Sequence, residues 1–396
     1  MNGVAAYYIR MFEWAKNHNY KCVLLLREDC KIASIWTEKI KELDISVEYF
    51  KLFSLELSQS AYHWSANDEK FFITADIHCY LRLKRMEYNG VFTCSKILWY
   101  VFHPQTTRIY ENKILNFPYK KWCLSQLENG VIFMDLECAL DCKKYYKTTF
   151  DLPVIRLGES IPKKDDFVIR SRMKERKKIF TILTITRFKF PAKGYLLGLI
   201  DTFGKLSSKY PDIQLKIIGD GKGKKQVLEK IASLSLDIQQ KIEYIGNVPY
   251  DNLKEYFKIS HIFVGMGTTL LDAAGYALPG IVATAYQTGD LSVGRFSENY
   301  DNLGGNIYLS NRRCSCFYKE IEKILNMDDE QYYKAEEEAY STVDKYYNLE
   351  VVMPQILEKC EKTIKYKKGW EALSVYDGFI IILKSIYHKM IGKKLK

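Results

Sequence analysis

The stretch "RFKFPAKG" sets Arg187, Lys189 and Lys193 within seven residues of one another, directly after the apolar run "FTILTIT" (180–186). If that run is a strand, three cations stand at its carboxyl end. A guanidinium offers a two-pronged fork and an ammonium a point charge, a combination that suits a diphosphate. The alternative is a basic loop that is merely solvated. A second candidate is "GMGTT" (265–269), which follows the apolar "HIFV" and precedes a helical stripe. Gly265 and Gly267 permit a sharp strand-to-helix turn, and Thr268 or Thr269 is expected to cap the helix. The free amides of that first turn and the positive end of the helix dipole would hold an anion without any side-chain charge. Asp272 stands one turn further in, where a carboxylate can accept ribose hydroxyls. The alternative there is an ordinary junction whose Asp favours a helix start. A third stretch, "GDGKGKK" (219–225), follows another apolar run. Three rather than four residues separate Gly219 from Gly223, so it is not a P-loop, and it is not GxGxxG either. Gly219 and Gly221 allow a tight turn and close backbone approach, a weak signal by itself.

These candidates need strands and helices to hold them. In the second half, strands are predicted at 180–186, 214–219, 241–246, 261–265 and 280–286, with helices at 194–209, 223–235, 252–260 and 268–278. In the first half, strands are predicted at 20–26, 45–53, 70–75, 96–102, 130–135 and 153–158, with helices at 4–17 and 136–147. Strand–helix units of about 30 residues fit right-handed βαβ crossovers. The prediction is an α/β chain of two doubly wound Rossmann-like domains facing a cleft, with ligands beyond the carboxyl ends of the strands. Residues 159–178 are charged and weakly patterned, and read as the linker. The domain bounds are then 1–160, 161–345 and a C-terminal segment, 346–396.

Composition narrows the function classes. The 396 residues are 47% hydrophobic and 27% charged, which suits a folded two-domain chain. The ten cysteines are scattered; Cys138 and Cys142 are four apart but have no second pair or histidines to complete a zinc site. Reduced thiols in a cytoplasmic protein are expected, and no run reaches the roughly 18 apolar residues of a spanning helix. The net charge of +11 favours an acidic partner. No nucleic-acid-binding motif accompanies it, and the 30 tyrosines are spread through predicted core elements.

The blocks "TRFKFPAKG", "YPDIQLKIIGDG", "IEYIGNVPYDNLKEYF" and "GMGTTLLDAAGYALPGIVA", in that order, resemble the donor-binding domain of the retaining glycosyltransferases of GT-B architecture known as family 4. The resemblance covers about residues 180–290. It implies a sugar transferred with retention from a nucleotide-sugar donor to a glycan or lipid-linked acceptor, without a metal or other cofactor. It implies that Arg187 and Lys193 neutralise the leaving diphosphate, and that Gly219 and Gly221 lie beside the nucleotide. By the same match Val248 meets the base, the Gly267–Thr269 loop holds the phosphates, and Asp272 holds the ribose. His103, after "ILWYVF", falls where the family often has a histidine near the donor sugar; the alternative is a turn cap. His78 is a weaker candidate, and His18 and His63 have no motif around them. One departure is large. The first Glu of the family's Glu–seven residues–Glu motif falls at Val264, which cannot hydrogen-bond a sugar. A catalytically impaired donor-binding or partner subunit of a glycan assembly complex is therefore the alternative function.

Both ends of the chain carry further expectations. The start, "NGVAAYYIRMFEWAKN", reads as the family's glycine loop and first helix, so the first domain is expected to lack its first strand and the native start to lie upstream of Met1. The last stretch, "YDGFIIILKSIYHKMIGKKLK", combines helically spaced apolar residues with lysines, the pattern of a helix on an anionic membrane surface. Peripheral attachment to the inner face of the cell membrane is the matching expectation; the alternative is a helix packed on the first domain with its lysines solvated.

Overall fold

The computed structural model describes residues 3–27, 30–50, 68–88, 90, 95–103, 113–149, 151–304, 314–363 and 370–390. The chain divides into two compact units, one of Asn2–Gly158 with Glu350–Lys396 and one of Glu159–Leu349.

The first unit runs α1 (Gly3–Asn17), β1 (Val23–Arg27), α2 (Ser34–Glu42), β2 (Ser46–Phe50), β3 (Lys70–Thr74), α3 (Ile77–Tyr88), β4 (Ser95–Val101), α4 (Lys113–Gln126), β5 (Val131–Phe133) and α5 (Leu136–Tyr146). Among the described residues its strands form two parallel sheets, β1–β2 and β3–β4–β5, instead of one. Ile97, Trp99 and Val101 of β4 are fully buried with Tyr80, Trp122 and Leu127 from the flanking helices. The strand predicted at 153–158 is reduced to one parallel bridge between Phe133 and Val154. Pro153 has no N–H to extend it.

The second unit runs α6 (Asp166–Glu175), β6 (Phe180–Ile185), α7 (Tyr195–Lys209), β7 (Ile213–Ile218), α8 (Lys224–Ala232), α9 (Leu236–Gln239), β8 (Ile242–Gly246), α10 (Leu253–Ile259), β9 (Ile262–Gly265), α11 (Thr268–Gly275), β10 (Gly280–Ala283), β11 (Ser292–Arg295), α12 (Phe317–Leu325) and α13 (Asp329–Tyr347). Six strands form one sheet in the order β11-β10-β9-β6-β7-β8, antiparallel only between β10 and β11. Every residue of β6 and β9 is buried, as expected where helices cover both faces of a parallel sheet.

The charged stretch read as a linker is not one. Asp165 caps α6, its carboxylate accepting the amides of Phe167 and Val168. The helix turns a buried cation inward. Arg172 donates to the carbonyls of Ala277 (3.0 Å) and Tyr276 (2.8 Å) and pairs with Glu336 of α13 at 3.0 Å, both side chains fully buried. Tyr276 directly follows α11, so a guanidinium meets the negative end of that helix. His261, just before β9, completes the network. Its Nδ1 accepts the Thr181 amide (2.8 Å) while Nε2 faces the Arg172 carbonyl (3.1 Å). Burial lowers the His261 pKa to about 4, helped by the charge of Arg172, so the ring stays neutral.

After α13 the chain enters α14 (Leu349–Glu361) and then α15 (Trp370–Met390), both of which serve the first unit. The Glu159 amide donates to the Tyr347 carbonyl (2.6 Å) and the Leu349 amide to the Glu159 carbonyl (3.0 Å), so the two ends of the second unit are stitched side by side.

Candidate functional site

Parallel pairing brings the carboxyl ends of β6, β7, β8 and β9 to one edge of the second sheet. The register sets Leu183 against Phe263, Ile185 against Ile218, and Ile218 against Gly246. Arg187 and Gly267 each lie four residues beyond the pair Leu183–Phe263, on strands about 5 Å apart. Sheet order therefore brings the loops of Arg187, Gly219 and Gly267 together, with Val248 on the loop after β8. Val248 is half-buried there, between β8 and a short 3-10 turn at Tyr250–Asn252.

The basic loop is anchored, not merely solvated. The Lys193 amide donates to the Lys189 carbonyl (2.9 Å), and the Tyr286 amide to the Ala192 carbonyl (3.2 Å). Arg187 is exposed and Lys193 half-buried. Burial, and then the positive charge of Arg187, lower the Lys193 pKa to about 8. Two cations that repel each other are already arranged for an anion that would relieve the repulsion.

The glycines after β7 have a local explanation that differs from close approach to a ligand. Gly219 adopts φ +137°, and a Cβ there would run into the Thr186 carbonyl oxygen. Gly221 backs onto the Phe188 main chain. The Phe188 amide donates to the Asp220 carbonyl (2.9 Å) and the Gly223 amide to the Phe188 carbonyl (2.9 Å). These glycines let the β7 loop lie flat against the β6 loop and form the floor under Arg187.

The turn into α11 behaves differently. Gly267 is the cap residue itself, at φ +75°, and a Cβ there would meet nothing within 4 Å. Its backbone needs glycine, while the space beside it is open. Neither threonine caps the helix, contrary to expectation, because both already lie inside its first turn; the Thr269 hydroxyl donates to the Met266 carbonyl (3.3 Å). Among the described residues the amides of Thr268 and Thr269 have no hydrogen-bond acceptor. The Gly267 amide is held by the Leu303 carbonyl (2.6 Å), which fixes the turn. Gly265 ends β9, with the Phe263 ring against it.

Asp272 is 8% exposed and accepts the Tyr250 hydroxyl at 2.7 Å. Tyr250 was not singled out by sequence reasoning. The signal was an aromatic two residues after Val248, in the turn that follows β8. Val264, at the position of the family's first motif Glu, is 0% exposed and packs with Ile182 and Ile281 inside the sheet core. A glutamate there would be a buried, unpaired charge.

His103 belongs to the first unit, exposed just past β4, in the neighbourhood of Asp135, the cap of α5. His78 lies in the first turn of α3. His18 stacks on Trp14 and lies 3.3 Å from Glu350, a structural role. His63 falls outside the described residues. Among the described residues no cluster of three or more His, Cys, Asp or Glu could hold a metal ion, and no helix is long and apolar enough to cross a membrane.

Residues 165–293 match the family model described as glycosyl transferases group 1. The match places a glycosyltransferase domain in the second unit. Among curated proteins none matches the chain in sequence. Several solved structures share the fold. HepE from Anabaena, solved with UDP, is 13% identical, with TM-score 0.60 over 91% of this chain and 96% of that one. A glycosyltransferase from Rickettsia africae is 16% identical, with TM-score 0.56 over 91% and 94%. TarM from S. aureus is 15% identical with TM-score 0.46; 69% of this chain matches, spanning about half (52%) of that one. The α/β architecture with parallel sheets is that of GT-B glycosyltransferases.

Proposed function

We propose that the protein transfers a sugar from a nucleoside-diphosphate sugar to an acceptor hydroxyl on a glycan or lipid-linked chain, with retention of anomeric configuration. The observation that carries this reading is the pairing, on one sheet edge, of a cationic loop after β6 with amides at the start of α11 that have no acceptor among the described residues. As the glycosidic bond breaks, negative charge grows on the leaving diphosphate. Arg187 and Lys193 act on it from one loop and the Thr268 and Thr269 amides from the next. Such preorganised stabilisation needs no reorganisation at the moment of reaction. Asp272, oriented by Tyr250, receives the ribose hydroxyls, and Val248 borders the base. The role of His103 toward the donor sugar rests on the family resemblance alone. Retention, and the absence of a metal requirement, rest on the family resemblance and on protein cations supplying the positive charge.

Incubation with a panel of nucleotide sugars should raise the melting temperature for one of them, since a ligand of the folded state stabilises it by mass action. That donor should then release nucleoside diphosphate in the presence of acceptor. No stabilisation by any nucleotide sugar would refute the assignment. The burial of Val264 favours a second reading, a subunit that binds the donor without turning it over. Binding without release on any acceptor would select it.

Lys193 also gives the site a pH signature. A bound diphosphate favours the charged amine, so affinity is complete below pH 8 and is lost as pH rises through that value. The affinity of the matching nucleoside diphosphate, measured by calorimetry, should fall about tenfold between about pH 7 and 9. Lys193→Arg, whose charge persists, should flatten the profile. A flat wild-type profile would remove Lys193 from the site.

A further inference from the structure

Helix α15 is apolar on two opposite faces. At 3.6 residues per turn, Trp370, Leu373, Asp377 and Ile380 share one face, and Val375, Phe379, Ile382 and Leu383 another, about 150° away. The first face is buried. It is also chemically anchored: Asp377 accepts the Tyr119 hydroxyl of α4 at 2.5 Å and pairs with Arg85 of α3. The second face stands in solvent, with Val375 76%, Phe379 57%, Ile382 45% and Leu383 46% exposed. Packing on the first unit thus explains one stripe and leaves the other unused. Four large apolar side chains within about two and a half turns exceed the scattered exposure of a typical surface.

The sequence around this stripe names the occupant. From Gly378 to Lys396 there are five lysines, at 384, 389, 393, 394 and 396, and no acidic residue. A second copy would bring the same lysines against themselves, on a chain whose net charge is already +11. An anionic bilayer offers both complements, an apolar boundary for the stripe and negative headgroups for the lysines. No helix of the described residues is long and apolar enough to span, so the helix lies in the surface plane.

We propose that α15 docks the protein on an anionic membrane, with Val375, Phe379, Ile382 and Leu383 entering the headgroup boundary and the positive charge of the C-terminal sequence adding attraction to anionic lipid. The docking stands whether or not the second unit transfers sugar.

The test uses the full chain and sedimented vesicles of phosphatidylcholine, with or without about one third phosphatidylglycerol. The chain should bind the anionic vesicles at least about tenfold more tightly than the neutral ones, and less so when ionic strength is raised several-fold. The double variant Phe379→Ser with Ile382→Ser should weaken that binding at least about tenfold. Its melting temperature should match the parent, because both side chains already face solvent. Lys389→Glu with Lys393→Glu should abolish the preference for anionic lipid. Equal binding to both vesicles, or unchanged binding by the serine variant, would overturn the proposal. So would a concentration-dependent dimer that the serine variant dissolves while vesicles bind neither protein.

Discussion

Alanine at Arg187 or Lys193 should lower kcat/KM for sugar transfer by about 10²–10³-fold, the usual cost of removing one preorganised donor to a developing negative charge. Removal of both should leave only what the α11 amides supply. The two replacements should differ in stability. Arg187 is exposed, so its loss should leave the melting temperature unchanged. Lys193 is half-buried beside Arg187, and its pKa of about 8 means that folding disfavours its charge. Below pH 8 the full cost of holding that charge is present; above it the folded amine is neutral, and the cost shrinks as pH rises, ending only above the ordinary lysine value of about 10.4. Lys193→Met should therefore raise the melting temperature near neutral pH while destroying turnover. Activity lost together with stability gained marks a residue kept for chemistry. Turnover unchanged in both single variants would refute the role assigned to this loop.

Arg172→Met should be the most damaging substitution outside the site. It leaves the Glu336 carboxyl buried without its partner, a group whose pKa burial already raises to about 8, and frees the carbonyls of Tyr276 and Ala277. The carboxyl then takes up a proton, so the cost is that of the buried hydrogen bonds left unmade, about 2–4 kcal/mol, which should lower the melting transition of the second unit by roughly 10 °C. Adding Glu336→Leu should recover most of the loss, because the stranded carboxyl goes too. No recovery would mean that the carbonyl contacts at the end of α11 matter more than the charge pair. Donor binding should weaken in both variants, since Arg172 holds the far end of the helix whose first amides face the ligand.

Much of the second unit was legible because its strands are short, mainly apolar runs, most of them ending at glycine or a cation. β6, β7, β9 and β10 could be found in that way, and with them the loops of Arg187 and Gly267. α6 was not legible. Its inward face consists of Ile169 and Arg172, and a buried arginine inside "DDFVIRSRMKERKK" looks like every other solvated charge. Its partners, Tyr276, Ala277 and Glu336, are 104 to 164 residues away, beyond the reach of any local pattern. The glycines after β7 were visible, but the reason for them was not, because the carbonyl that forbids a Cβ belongs to Thr186, in the loop after β6. Asp272 could be read as a carboxylate near a helix start; its pairing with Tyr250 is a fact of tertiary packing.

The bridge that ties Glu159 to Tyr347 and Leu349 has a genealogical consequence. The second unit enters and leaves through neighbouring points, while the segments on either side of it, 2–158 and 350–396, fold with each other. Such a unit is an insert in a host, and inserts with adjoining ends are tolerated because they impose no stretch on the surrounding fold. Recombination at these two positions could replace the cassette that reads one ligand and keep the scaffold, with α15 on it, that reads another.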